Sequence, residues 1–215
     1  MTFSFKLFGS GLDALVSAHG DGLANLSKGA SVGTSSVRRK AQLLGLRPDL
    51  RIMDLHGNVE TRMRKMDEMG LEGIVLAAAG LDRLSLGERT VERFPVDKIV
   101  PAPGQGTIAV EIRRGDKEVG GLVSQISDEK TMLASECERA FASAIGGDCY
   151  VPAGANASVS GRSITLMGMI ASPDGRKVLK NKMTSTDPIG LGKALGGELL
   201  RAGGAANIGG DSIRV

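Results

Sequence analysis

The sequence predicts an α/β protein in two parts: a central α/β domain, then a small α+β C-terminal domain made of helix, three antiparallel strands and helix. Three observations carry this prediction. Strand-like and helix-like segments alternate through the first half of the chain. The run Gly73-Ile74-Val75-Leu76-Ala77-Ala78-Ala79 is continuously apolar, as a parallel strand covered on both faces should be. Beyond Ser127 the rhythm changes to a long amphipathic helix followed by strand-like runs separated by hairpin turns.

Taken in order, the opening residues resist assignment. Asp13-Ala14-Leu15-Val16-Ser17 reads as a short strand and Ala30-Ser31-Val32-Gly33-Thr34 as a second. Ser35-Ser36 then caps a helix running to Leu44, closed by Gly45 and Pro48. Residues 51–55 form a strand and 59–69 a helix, and the apolar run from Gly73 follows. Such alternation places ligand-binding loops at the carboxyl ends of the strands. In the second part, residues 128–145 form a helix with Met132, Leu133, Cys137, Ala140, Phe141 and Ala144 on or near one stripe. Residues 153–159, 163–172 and 177–185 are strands, separated by Ser160-Gly161-Arg162 and Pro173-Asp174-Gly175. A helix over 189–201 closes the pattern.

Composition narrows the functional classes. A chain of 215 residues with 41% hydrophobic and 24% charged content is ordinary for a soluble globular protein. Aromatic content of 3%, without tryptophan, leaves few platforms for stacking single-stranded nucleic acid. The net charge of +3 comes from basic residues spread along the chain, so no nucleic-acid partner is expected. No apolar stretch reaches the roughly 18 residues that span a bilayer, and the N-terminus lacks a secretory apolar core. A cytoplasmic location and no membrane partner are expected. Two cysteines without CxxC spacing predict neither a disulfide framework nor a metal site.

Three strand-to-helix turns deliver arginines. Thr34-Ser35-Ser36-Val37-Arg38-Arg39 puts hydroxyls and two cations where backbone N–H groups already favour an anion. Gly57-Asn58-Val59-Glu60-Thr61-Arg62 repeats the arrangement, and Gly80-Leu81-Asp82-Arg83-Leu84 is the third, following the buried strand. Adjacent arginines on a helix point in different directions and can grip separate carboxylates. A helix cap plus a solvated basic face would look the same in sequence. Pro101-Ala102-Pro103-Gly104-Gln105-Gly106 is stiff, then permissive, and suits a ligand loop or an interdomain hinge. Cys149, in Gly146-Gly147-Asp148-Cys149-Tyr150-Val151-Pro152, should lie in an accessible loop, whereas Cys137 belongs to an apolar helix stripe. Neither His19 nor His56 is close to Cys149 in sequence, which disfavours a thiol–imidazole pair. A nucleotide-binding reading lacks a GxGxxG between strand and helix.

Together these motifs resemble porphobilinogen deaminases (hydroxymethylbilane synthases). The match runs from about Leu12 to near Arg201. It rests on Val32-Gly33-Thr34-Ser35-Ser36-Val37-Arg38-Arg39, Gly57-Asn58-Val59-x-Thr61-Arg62, Ala78-Ala79-Gly80-Leu81-x-Arg83-Leu84, Pro101-x-x-Gly104-Gln105-Gly106 and Gly146-Gly147-x-Cys149-x-x-Pro152. The resemblance implies a periplasmic-binding-protein-like central domain over 13–98, with 1–12 unassigned. It further implies a hinge and remnant strand over 99–117, and a C-terminal domain over 118–215 bearing the cofactor cysteine. It implies that Cys149 carries a dipyrromethane through a thioether. Porphobilinogen units extend that primer head to tail, each losing ammonia to become an azafulvene-type electrophile. The linear tetrapyrrole, hydroxymethylbilane, leaves by hydrolysis. By the same match, Ser35, Ser36, Arg38, Arg39, Arg62 and Arg83 hold the acetate and propionate arms of the cofactor. Thr34, His56, Gly57, Asn58, Gly80 and Gln105 line the substrate.

Two departures qualify the resemblance. His56 stands where the family has arginine, and imidazole is cationic only below about pH 6.5 unless perturbed. Met1 to Leu12 cannot hold the family's first α/β domain, whose aspartate assists proton movement, so no general acid or base is assigned. The strand within 101–116 is therefore expected to lack most of its sheet. A truncated gene product is the preferred explanation; a partner chain supplying the missing half and a decayed homologue stay open. A monomer is expected unless such a partner exists. The alternative function is a non-catalytic module that binds pyrrole polycarboxylates.

Overall fold

The computed structural model describes residues 2–6, 11–146 and 151–207. Its first unit is built on a five-stranded sheet. After β1 (Thr2–Lys6) come β2 (Asp13–Ser17), β3 (Ser31–Gly33), helix α1 (Val37–Leu46), β4 (Arg51–Met53), α2 (Val59–Glu68), β5 (Gly73–Ala77), α3 (Ala78–Arg83) and β6 (Glu92–Arg93). The sheet order is β4-β3-β5-β2-β6. Strand β3 is parallel to β4 and β5, but β2 runs antiparallel to both β5 and β6. The sheet is thus mixed rather than parallel.

The apolar run reported coverage on both faces, which a central strand has whatever its neighbours' directions. Side chains alternate across that sheet with period two. Ala14, Val16, Ile74 and Leu76 join Met63 and Met66 of α2 in one core. Leu15, Val75 and Val32 join Leu43 of α1 and Phe94 in the core on the other face. The expected strand over 73–79 stops at Ala77, and Gly80 and Arg83 lie in α3 rather than in a loop.

The C-terminal unit follows its prediction closely. Helix α5 (Glu129–Ala144) is capped by Asp128, whose side chain accepts from the Thr131 N–H. Strands β8 (Ala153–Ser160), β9 (Ser163–Ala171) and β10 (Val178–Ser185) form an antiparallel sheet in the order β10-β9-β8. Helix α6 (Pro188–Leu199) begins with proline in its first turn after the Asp187 cap. Helices α5 and α6 share a core with the sheet that includes Cys137, Phe141, Leu166, Ile170, Leu191 and Leu195. At Gly192 any side chain would meet the Cys137 carbonyl at 2.4 Å, so the two helices approach backbone to backbone. Burial pushes the Cys137 thiol up to about 12, so it stays protonated as a packing residue.

Between the units lie β7 (Thr107–Glu111) and α4 (Lys117–Gln125), a helix the sequence reading did not find. Strand β7 pairs antiparallel with β1, from Thr2 opposite Glu111 to Lys6 opposite Thr107. The opening residues, left unassigned from sequence, therefore include a strand, and the expected solitary strand has a partner along one edge. The units meet where Ala41 of α1 packs on Val100, Met169 and Ala171. Lys180 Nζ also donates to the carbonyls of Asp97 and Lys98, at 2.8 and 2.7 Å.

Candidate anion-binding site

The turn after β3 is locked by its own hydroxyls. Thr34 donates its N–H to the Met53 carbonyl at 2.8 Å, and its Oγ1 accepts from the Ser36 N–H at 3.2 Å. Ser35 Oγ accepts from the Leu55 N–H at 2.8 Å, and Ser36 caps α1 by accepting from the Arg39 N–H. Each hydroxyl acts here as an acceptor, which leaves its own O–H as a donor for a ligand.

That turn aims Arg38 and Arg39 inward, and both converge on one carboxylate. Asp13, at the start of β2, is fully buried, with Arg38 5% and Arg39 7% exposed. Arg38 donates to Asp13 at 2.6 and 3.3 Å, to the Val100 carbonyl at 2.7 Å and to Gln105 Oε1 at 3.3 Å. Arg39 donates from Nε to Asp13 at 2.9 Å and from Nη1 to the Val75 carbonyl at 3.1 Å. Gln105 donates to Asp13 at 3.0 Å and to the Gly11 carbonyl at 2.8 Å. Gln42 braces the cluster by exchanging two hydrogen bonds with the Val100 backbone.

Burial alone would raise the Asp13 pKa, but the Arg38 and Arg39 charges and the hydrogen bonds from Arg38 and Gln105 outweigh it. The net shift is downward. Burial draws the Arg39 pKa below its ordinary value; Asp13 opposes this, and Arg38 and Arg62 add to it. The cluster holds two guanidiniums against one carboxylate, so a net positive charge lies within the protein beside Arg62.

The other arginines differ from this pair. Arg62 is half-buried and donates Nε to the Gly57 carbonyl at 2.6 Å, while its Nη groups have no hydrogen-bond partner among the described residues. Arg83 is exposed on α3; the neighbouring Asp82 is ion-paired to Arg93 instead. The structure therefore brings Arg38, Arg39 and Gln105 together, with Arg62 within electrostatic reach. It leaves Arg83 exposed outside the hydrogen-bonded cluster. The expectation that Arg38 and Arg39 point apart is corrected: long side chains on one helical turn bend to a shared buried acid.

Gly57 sits at φ +127°, where a side chain would also strike Thr61, so glycine is required for the chain to enter α2. Asn58 caps that helix through Oδ1 to the Thr61 N–H at 2.8 Å. His56 is exposed, and its carbonyl accepts from Lys65. Gly80 lies beside Val59 across the α2–α3 contact. Cys149 lies outside the described residues.

Three residues escaped the sequence reading. Asp13 carried a signal that could have found it, an acid opening an apolar strand, a position that demands a cation. Gln42 reads as any helix residue. Glu138 is 6% exposed within α5, accepting from the backbone N–H of Gly104 at 2.6 Å and of Ala157 at 2.7 Å. It lines a groove of about 610 Å³ between α5, β8 and residues 105–107. Among the described residues no group of three or more His, Cys, Asp or Glu could hold a metal ion, and no helix is long and apolar enough to cross a membrane.

A mixed α/β unit in which two helix-borne guanidiniums meet one buried carboxylate, joined to an antiparallel α+β unit, defines an α/β protein with a candidate anion site. Comparison with known proteins supplies the family. The family model described as porphobilinogen deaminase, dipyromethane cofactor binding domain, matches residues 9–120, and that of the porphobilinogen deaminase C-terminal domain matches 132–201. Porphobilinogen deaminase from Roseiflexus castenholzii (strain DSM 13941 / HLO8) is 51% identical over 92% of this chain and 66% of its own length. Those from Exiguobacterium sp. (strain ATCC BAA-1283 / AT1b) and Francisella tularensis subsp. novicida (strain U112) are 45% and 44% identical, each over 89% of this chain and 63% and 64% of their own lengths. The chain belongs to the porphobilinogen deaminase family. It spans just under two thirds of the length of these relatives.

Proposed function

We propose that this chain takes part in tetrapyrrole biosynthesis as a porphobilinogen deaminase, condensing porphobilinogen units head to tail into hydroxymethylbilane. Each condensation forms one carbon–carbon bond and releases one ammonia. The observation that carries this reading is the buried surplus of positive charge at Asp13, Arg38 and Arg39, within electrostatic reach of Arg62, whose Nη groups have no hydrogen-bond partner among the described residues. An unbalanced buried cation is costly in a protein interior unless an anion approaches it. Pyrrole rings bearing acetate and propionate arms supply such anions, and the residues present therefore fit a dipyrromethane.

In this reading the dipyrromethane, bound through Cys149, supplies a pyrrole carbon as the point of chain growth. Arg62 offers its Nη groups to carboxylates, and Ser35 and Ser36 offer their hydroxyl protons. Arg38 and Arg39 provide a fixed positive field, shaped by Asp13 and Gln105. Thr34, Gly57 and Asn58 shape the two turns, and Gly80 lets α3 approach α2. Arg83 and His56 complete the rim. The central unit is read as periplasmic-binding-protein-like over 13–98, with 99–117 a hinge and 118–215 the C-terminal domain. The location is read as cytoplasmic, the protein as a monomer, and neither nucleic acid nor membrane as a partner.

Intact-mass spectrometry after incubation with porphobilinogen tests this reading. A dipyrromethane-sized adduct that disappears in Cys149→Ser, together with release of a linear tetrapyrrole, is the expected result. Porphobilinogen binding with neither adduct nor product would favour a non-catalytic polycarboxylate-binding module. Arg62→Ala should weaken porphobilinogen binding by about tenfold, as loss of a charge-assisted contact does, with little change in stability. Binding unchanged in that variant would remove Arg62 from the site.

A further inference from the structure

Glu138 is not needed to build α5, yet it is buried with both oxygens engaged outside its own helix. Its partners are the backbone N–H groups of Gly104 and Ala157. It makes no ion pair among the described residues, and a buried carboxylate held only by neutral donors is costly compared with an apolar side chain. What it holds gives the reason. Strand β8 is an edge strand, and the segment 101–106 runs along that edge: Ala155 donates to the Pro101 carbonyl at 3.0 Å, and two residues on Ala157 donates to Glu138. Gly104 has φ +73°, and its N–H goes to Glu138. The next residue, Gln105, sends its side chain to Arg38, Asp13 and the Gly11 carbonyl.

We propose that Glu138 is a positioning residue for the anion site: by clamping Gly104 against β8 it fixes Gln105, and through Gln105 the Arg38–Asp13 pair. The carboxylate thereby couples the C-terminal unit to the guanidinium geometry of the central unit. Without the clamp, the segment 101–106 keeps the Ala155 N–H to Pro101 carbonyl bond at its start and the Gln105 N–H to Ala102 carbonyl bond within its turn, while Gly104, next to Gln105, loses its tie to α5. The coupling to substrate rests on the porphobilinogen reading above; the mechanical link from Glu138 to Gln105 does not. Neither β8 nor the segment 101–106 carries an ionisable side chain. Asp128 and Lys130 at the start of α5 line the same groove, and β1, which lies against α5, carries Lys6.

The test compares wild type, Glu138→Gln, Gln105→Ala and the double variant at pH 8. In ligand-free protein, NMR exchange of the Gln105 carboxamide protons should quicken about tenfold in Glu138→Gln, the scale of one lost buried hydrogen bond. Unchanged exchange would overturn the proposal. Calorimetry with porphobilinogen should show about tenfold weaker binding in each single variant and no further loss in the double, because the two residues act in series. Independent, additive losses would overturn it. Where Glu138→Gln fails to fold, wild type decides: Gly104 and Gln105 signals should titrate together with a midpoint near 7, and a Gln105 signal that does not follow Gly104 overturns the link. Absence of porphobilinogen binding by wild type would count against the functional reading, while the exchange result would still decide the clamp.

Discussion

Asp13 is where one side chain does most to organise the molecule. Removing its charge leaves two buried guanidiniums with no anion between them, and breaking such a pair costs about 3–5 kcal/mol. Asp13→Asn should lower the urea midpoint accordingly, and an unchanged midpoint would show that the cluster is not a structural element. Because the Asp13 pKa is depressed on folding, its stabilisation is present above the unfolded value near 3.8 and is lost as the pH falls below it. Glu138 works in the opposite sense. Burial raises its pKa from 4.5 to about 7, against the two backbone N–H groups that favour the ionised form. Its contribution is therefore fully present below pH 4.5 and is lost as the pH rises to about 7, a cost on the order of 3 kcal/mol. Glu138→Gln should flatten that part of the stability–pH profile; a profile unchanged across pH 5–7.5 would place the titration elsewhere.

Among the elements, the α5–α6 pair depends most on close backbone approach. Gly192→Ala puts a methyl within 2.4 Å of the Cys137 carbonyl and 2.7 Å of Ala140, so the helices must separate. Overpacking of this kind costs about 1–3 kcal/mol, measurable as a lower thermal midpoint with unchanged helix content. An equally stable variant would mean that α6 slides freely. The C-terminal elements were legible because caps, hairpin turns and periodicity agree: Asp128, Asp187 with Pro188, and the Gly161 and Gly175 turns all fall at element ends. Helix α4 was not legible. None of its residues is buried, and Val119 and Leu122 stay exposed, so the pattern has no stripe facing a core, and two glycines interrupt it. Direction in the central sheet was equally hidden, since apolar content reports burial and not strand sense.

Across the whole molecule, the segment between the two units carries the two most exposed large apolar side chains among the described residues. Val119, Leu122 and Ile126 are 40%, 63% and 64% exposed on or just after α4. Leu122→Lys with Ile126→Lys should leave stability within about 0.5 kcal/mol, as for surface substitutions, while reducing concentration-dependent association in light scattering. A large loss of stability would show that these side chains are packed. The local chemistry of the chain, read residue by residue, already contained the alternation of elements, the capped turns and the arginines in the first turns of α1 and α2, because each depends on neighbours a few positions away. Which arginines share one acid, which glutamate accepts from Gly104 and which strands run opposed were settled by folding. Asp13 and Arg38 are 25 residues apart, Gly104 and Glu138 are 34, and contacts over such separations follow from how the sheets and helices pack rather than from any local pattern.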